Sequence, residues 1–342
     1  MCFRNIHFCF AQQPLNRMAE NIFVYVVCGT AEHIQTLHFS LRFIQKYSQN
    51  RVIVVTDPSR NQLPVQHHTV VNIPTPAHYT NHQASIYLKT GLHRFLNLEH
   101  NYCYIDTDVI ANSPKIDQIF QHQYGPVAFA KDYTHQHSNI STFSPWALNC
   151  GCLEKGISNQ CPHLVQAIGQ QYHIQIPPDW VHWNGGVFLF NHRSVEFMQT
   201  WHQLTLHTFE LPFWRTRDQG TLIVTVWKHA LQNQQCLPQQ YNFIADLNNA
   251  DLTISPRGTY ALHPGLPKIK PYFLHLYSSP LHQEGWSLEK DLQTVVIQRN
   301  RQQRSQLYRQ QIKQTRLYKS LDYLRLVALE LQLKYRRITG KL

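Results

Sequence analysis

From residue 21 onward the chain alternates between continuous apolar runs and stretches whose apolar residues recur every three or four positions. Ile22 to Cys28 is an unbroken β-branched and aromatic run, which predicts a buried strand. It gives way at Gly29-Thr30 to a helical pattern carrying Ile34, Leu37, Leu41 and Ile44 on one face. Val52 to Val55 predicts the next strand, closed by Asp57-Pro58, and a short strand around Thr69 to Ile73 ends at Pro74. Residues 83–97 read as a helix through Ile86, Leu88, Leu92 and Leu96, and Tyr102 to Ile105 as another strand. This alternation predicts an α/β fold: a Rossmann-like, mostly parallel central sheet flanked by helices, with ligands at the carboxyl ends of its strands.

The second half is less regular. Residues 132–159 are rich in His, Ser, Asn and Gly and read as a long loop, of a length often given to lids and binding elements. Trp183 to Asn191 predicts a strand, and helical patterns follow at 194–208 and 218–231. Residues 246–271, punctuated by Pro256, Gly258, Pro264, Gly265 and Pro267, read as connecting loop. Residues 1–17 form an irregular extension, with Met18 as the expected natural start. The main domain spans 18–286 and a helical tail 287–342. In that tail Leu317, Leu321, Leu324, Ala328, Leu331 and Tyr335 make one apolar stripe.

Charge separates tail from body. Residues 299–342 hold twelve Lys and Arg against two acids, a net of +10, whereas residues 1–298 sum to only +1. A nearly neutral body disfavours a general nucleic-acid surface, and the basic tail suits an acidic partner such as anionic lipid. A helix packed on the domain or on a second subunit, with a solvated basic face, explains the same pattern. No run of eighteen apolar residues suggests a membrane span, so the expected location is cytoplasmic, peripheral on the inner membrane face where the tail engages lipid. The cysteines are then expected as reduced thiols. Cys150, Cys152 and Cys161 could hold a soft metal, although no CxxC pair supports zinc.

The chemistry concentrates in YCYIDTDVIAN, residues 102–112. In extended chain residues i and i+2 point the same way, so Asp106 and Asp108 should present both carboxylates to one side. Such a pair suits Mg²⁺ or Mn²⁺, and through it a diphosphate; a solvated strand-end turn is the plain alternative. Further on, WNGGVFLFN (183–191) puts two glycines at a strand start, as a bulge or a close approach requires. TRDQG (216–220) sets Asp218 where a helix begins, FLHLYSSP (273–280) places His275 on a late apolar strand, and YVVCGTAEH (25–33) ends the first strand in a small-residue turn. A cap and a buried core histidine are the bland readings of the first two, and a nucleotide base could pack on the third.

Together, and in this order, the five segments resemble the GT-A glycosyltransferases, family 8 most closely, over roughly residues 21–286. The resemblance implies that Asp106, Asp108 and His275 bind Mn²⁺ (or Mg²⁺) holding a nucleoside diphosphate. It implies that Asn184, Gly185 and Gly186 contact the donor sugar, and that Asp218 and Gln219 lie near its anomeric carbon. Thr30 and Ala31 would border the base, and Lys89 would reach the sugar or phosphates. His275 is followed here by Leu276, Tyr277 and Ser278, not the family's His-x-x-Gly, and RDQG lacks the second acid of Asp-Gln-Asp. The expected activity is metal-dependent transfer of a sugar, with retention, from a nucleotide-sugar such as a UDP-hexose to a carbohydrate or glycolipid acceptor. Two rivals are a haloacid-dehalogenase-type phosphatase, whose nucleophile motif also follows a strand, and an inactive sugar-nucleotide fold kept as a binding or scaffold protein.

Overall fold

The computed structural model describes residues 19–133, 139–245, 252–254, 259–263, 266–276 and 317–339. The expected 1–17 extension, Met18, residues 277–286 and the first part of the tail lie outside the described residues. In chain order the elements are β1 (Asn21–Val27), α1 (Ala31–Tyr47), β2 (Arg51–Thr56), β3 (Val70–Asn72), α2 (Asn81–Thr90), α3 (Leu92–Phe95), β4 (Asn101–Ile105) and β5 (Val109–Ala111). They continue with β6 (Val127–Lys131), α4 (Ile140–Ala147), α5 (His163–Tyr172), β7 (Trp183–Phe190), α6 (Val195–Thr208) and α7 (Asp218–Lys228). The short strands β8 (Phe243–Ile244), β9 (Thr253–Ile254), β10 (Tyr260–Ala261) and β11 (Phe273–His275) precede a helix α8 (Leu317–Ile338).

The central sheet has the order β3-β2-β1-β4-β7-β6. Its first four strands are parallel, and β7 runs antiparallel to both β4 and β6. Strand alternation builds two cores from one ribbon of chain. Phe23, Tyr25, Val27, Cys103 and Ile105 face Ile34, Leu37, Leu41 and Ile44 of α1. Ile22, Val24, Val26, Tyr102 and Tyr104 face Ala84 and Leu88 of α2 and Phe197 and Trp201 of α6. This is the α/β sheet with helices on both sides that the alternating pattern predicts.

Three local readings need correction. The helix expected over 83–97 breaks at Gly91, where a Cβ would stand 2.7 Å from the Tyr87 carbonyl oxygen and 3.2 Å from the His202 ring; α6 presses too closely for a side chain there. The expected loop 132–159 contains α4. Its sequence ISTFSPWA carries Pro145 and two serines, poor helix formers. An Asn139 cap accepting the Thr142 N–H at 2.9 Å and the buried Ile140 and Ala147 hold it nonetheless. The expected loop 246–271 contributes β9 and β10. A second sheet, β5-β11-β8, lies beside the carboxyl end of β4.

Candidate metal and donor site

The strand β4 ends at Ile105 and passes into a tight turn, with the Val109 N–H donating to the Asp106 carbonyl at 3.1 Å. Asp106 and Asp108 therefore converge through a turn, not through strand alternation as the sequence suggests. Asp106 keeps the facing of Tyr102 and Tyr104, toward α2. Tyr104 donates its hydroxyl to Asp106 Oδ1, and Lys89, buried on α2, stands 3.2 Å from the same oxygen.

The imidazole arrives from the second sheet. β11 pairs antiparallel with β5, so that His275 sits opposite Val109, and the Leu276 N–H donates to the Asp108 carbonyl at 2.9 Å. This register sets His275 Nε2 3.3 Å from Asp108 Oδ1. Ligand atoms of Asp106, Asp108 and His275 all lie within 4.8 Å of one another. Two neighbouring acids and a histidine far along the chain thus meet at the mouth of the central sheet.

A run of amides fixes the ring. His275 Nδ1 lies 3.0 Å from Asn242 Oδ1, and Asn242 Nδ2 donates to Asn184 Oδ1 at 2.8 Å. Asn184 Nδ2 in turn donates to Asp132 Oδ2 at 3.0 Å, and its Oδ1 also accepts the Gly186 N–H at 2.8 Å. Asn242 Oδ1 can only accept, so it is satisfied by the ring only if Nδ1 carries a proton, which points the Nε2 lone pair at the carboxylates. A lone pair facing a carboxylate calls for a cation or a second proton between them. Burial and the Asp108 charge both raise the Asp106 carboxyl above its ordinary value, against the lowering effect of Lys89. Two carboxylates and one imidazole therefore fit a divalent metal of hard or borderline character.

Beside this cluster stands a second charged group. Lys89 Nζ is 2.8 Å from Asp218 Oδ2, at the first turn of α7. Burial opposes ionisation of Asp218, but Lys89 outweighs it and holds the carboxyl below its usual range. Gln219 accepts the Gly185 N–H at 2.9 Å and donates to the Trp183 carbonyl, so its side chain is tied to β7.

The glycine pair explains how these groups fit together. The β6–β7 register breaks between Phe129 and Ala130, opposite residues 184–188, the bulge that a Gly-Gly strand start permits. A Cβ on Gly186 would fall 2.3 Å from His275 Cε1, whereas one on Gly185 would meet Gln219, Lys89 and Asp218 at 3.4, 3.5 and 3.6 Å. Thr30 and Ala31 lie at the carboxyl edge of β1 as α1 begins, the Ala31 N–H donating to Gln62 Oε1 at 3.0 Å. Gly29, at φ 135°, makes that turn possible.

Sequence reasoning missed Asn242, Asp132 and Tyr104. Tyr104 was findable, since it precedes Asp106 by two residues and so shares its face. Asn242 and Asp132 carry no signal beyond standing at strand ends.

No family model and no curated protein matches this sequence. Among solved structures the chain is similar to the apo form of the bifunctional glycosyltransferase WbbM, with 14% identity and a TM-score of 0.49 over 84% of this chain and 50% of that one. It is similar to mouse xyloside xylosyltransferase 1 in its apo form, at 13% identity and a TM-score of 0.40, covering 66% of this chain and 88% of that one. It is also similar to the galactosyltransferase LgtC in complex with donor and acceptor sugar analogues, at 11% and 0.42, covering 76% and 87%. The chain spans half the length of WbbM.

Proposed function

We propose that this protein is a metal-dependent glycosyltransferase of the GT-A type, family 8-like, that moves a sugar from a nucleotide-sugar donor to a carbohydrate or glycolipid acceptor. The observation that carries the proposal is the meeting of Asp106, Asp108 and His275 beside the Lys89–Asp218 pair at the carboxyl end of the sheet. A UDP-hexose donor, Mn²⁺ (or Mg²⁺) and retention of configuration complete the reading.

Each residue has a part that its surroundings support. Asp106, Asp108 and His275 hold the cation, which when bound supplies Lewis-acid neutralisation of charge on the departing diphosphate. Asn242 keeps the His275 lone pair turned inward. Thr30 and Ala31 border the base, and Asn184, Gly185 and Gly186 form the floor on which the sugar rests. Lys89 keeps Asp218 ionised, and Asp218 sets negative charge near the anomeric carbon as positive charge develops there. Gln219, anchored to β7, orients the sugar. Lys89 spans Asp106 and Asp218 and so fixes the distance between the metal side and the sugar side of the site.

The tail supports a peripheral setting. Leu324, Leu331 and Tyr335 on α8 are more than half exposed, so the described residues leave these positions of the apolar stripe uncovered. No helix among the described residues is long and apolar enough to cross a membrane. Attachment of α8 to an anionic membrane on the cytoplasmic side would bring the site to a lipid-linked acceptor. Equal vesicle co-sedimentation of the full chain and of a chain ending at residue 298 would remove that part of the proposal.

The main test is release of UDP from UDP-hexoses by the full chain with Mn²⁺ or Mg²⁺, alongside thermal shift. Donor-dependent turnover that Asp108→Ala abolishes, with little change in the metal-free melting temperature, is the expected result. Stabilisation by the nucleotide-sugar without any turnover would make the protein a binding module. No shift and no turnover with any nucleotide-sugar would refute the donor site.

A further inference from the structure

A second cluster of ligand atoms lies apart from the acidic site, in the segment joining α4 to α5. The sulfurs of Cys150, Cys152 and Cys161 lie within 4.8 Å of one another, with Cys150 Sγ 3.6 Å from Cys161 Sγ. A tetrahedral ion with metal–sulfur bonds of about 2.3 Å places neighbouring sulfurs about 3.8 Å apart, whereas a disulfide needs about 2.05 Å. The observed spacing matches shared coordination. The backbone is shaped to produce it: Gly151, at φ 68°, turns the chain in the left-handed region between Cys150 and Cys152. The Ile157 N–H then closes the loop on the Cys152 carbonyl at 3.1 Å.

The surroundings of Cys161 add an independent observation. Its sulfur is fully buried, as is Ser144 of α4. Ser144 Oγ accepts the Leu164 N–H at 2.9 Å and lies 3.1 Å from Cys161 Sγ, a contact in which either atom can donate. A hydroxyl beside a buried sulfur can donate to it once the sulfur is a thiolate. Donors of this kind orient ligands around a metal. The first turn of α5, ten residues long, adds its positive end.

We infer that Cys150, Cys152 and Cys161 form a structural site for a thiolate-preferring divalent cation, Zn²⁺. Binding needs all three sulfurs as thiolates, so each one still protonated gives its proton to solvent, and the fourth tetrahedral position is left for a solvent-derived ligand. The site ties α4, the intervening loop and α5 together. That unit packs through Ile140, Leu148, Leu164 and Ile168 against Trp214, Ile223 and Val224, directly behind the start of α7 that carries Asp218 and Gln219. Zinc here braces the sugar side of the donor site without touching it.

Cobalt substitution tests this independently of the donor site, because only sulfur ligands give cobalt an intense near-ultraviolet charge-transfer band. Full-length protein, reduced, stripped of metal and titrated with Co²⁺ alone, is expected to develop that band to one cobalt per chain, and Zn²⁺ should bleach it. Cys150→Ser, at a half-exposed position that should fold normally by circular dichroism, should lose most of the band, as should Cys161→Ser. Asp108→Ala should keep it. Absence of the band in reduced wild-type protein would overturn the inference, as would a band indifferent to both cysteine substitutions. A disulfide among the three cysteines in protein purified under reductant would overturn it as well.

Discussion

Replacing Gly186 with alanine is expected to weaken the metal site while leaving the fold in place. The new Cβ would stand 2.3 Å from His275 Cε1 and 2.6 Å from Nδ1. Ordinary contact begins near 3.4 Å, so the ring must withdraw by about 1 Å. The backbone cannot yield in its place. Gly186 accepts the Asp106 N–H at 2.8 Å and donates its own N–H to Asn184 Oδ1 at 2.8 Å, so both sides of the glycine are pinned. The ring would move from a position now 3.3 Å from Asp108. Displacing a ligand or its support typically costs ~10–100-fold in metal affinity, which is about 1.4–2.7 kcal/mol. Overpacking adds a stability loss of about 1–3 kcal/mol. Mn²⁺ binding followed by isothermal titration or electron paramagnetic resonance measures the first, and urea unfolding of metal-free protein the second. Gly185→Ala is the control. Its nearest neighbours, at 3.4 to 3.6 Å, are ordinary contacts and none is a ring of the metal set, so Mn²⁺ affinity should stay at the wild-type value. Wild-type affinity in Gly186→Ala, or an equal loss in Gly185→Ala, would refute the steric argument.

Asn242→Leu removes the acceptor that holds His275 Nδ1–H, and Mn²⁺ affinity should fall ~10–100-fold by titration; unchanged affinity would show that the ring needs no such partner. Lys89→Met leaves Asp106 and Asp218 without their shared cation. A loss of about 3–5 kcal/mol in urea unfolding is expected, and Lys89→Met with Asp218→Asn should recover part of it. Asp57 is held below the usual carboxylate range: burial opposes ionisation, but hydrogen bonds from Ser59 and Thr75 outweigh it. Its contribution is therefore fully present above an unfolded-state value of about 3.9 and is lost as pH falls through the lower folded-state value. Asp57→Asn should flatten the acid limb of stability against pH, and an unchanged limb would assign that limb to other groups.

The strands β1, β2 and β4 were legible because each is a buried apolar run flanked by turn chemistry. Asp106 and Asp108 were legible because the two acids are neighbours in sequence, although the turn that joins them was not. His275 could be connected to them only by resemblance, since nothing local in FLHLY distinguishes a ligand from a core histidine. The pairing of β11 with β5 brings it beside the two acids, and long-range register is not written in a segment this short. α4 escaped because Pro145 and its serines hide a helix held by tertiary burial. The two glycines of WNGGV mark a bulge and a close approach, as the sequence suggests, but their separate placements, one against His275 of β11 and one against Lys89 of α2 and Asp218 of α7, depend on which elements lie above them.

The placement of β11 has a consequence for biosynthesis. The chain emerges with both acids early, but the strand bearing His275 slots between β5 and β8 only after more than 160 further residues have been made. A nascent or clipped polypeptide ending before that strand would own a sheet and an acidic pair, yet grip a cation weakly. On the proposed function, competence for chemistry is thereby reserved for molecules in which β11 has taken its place.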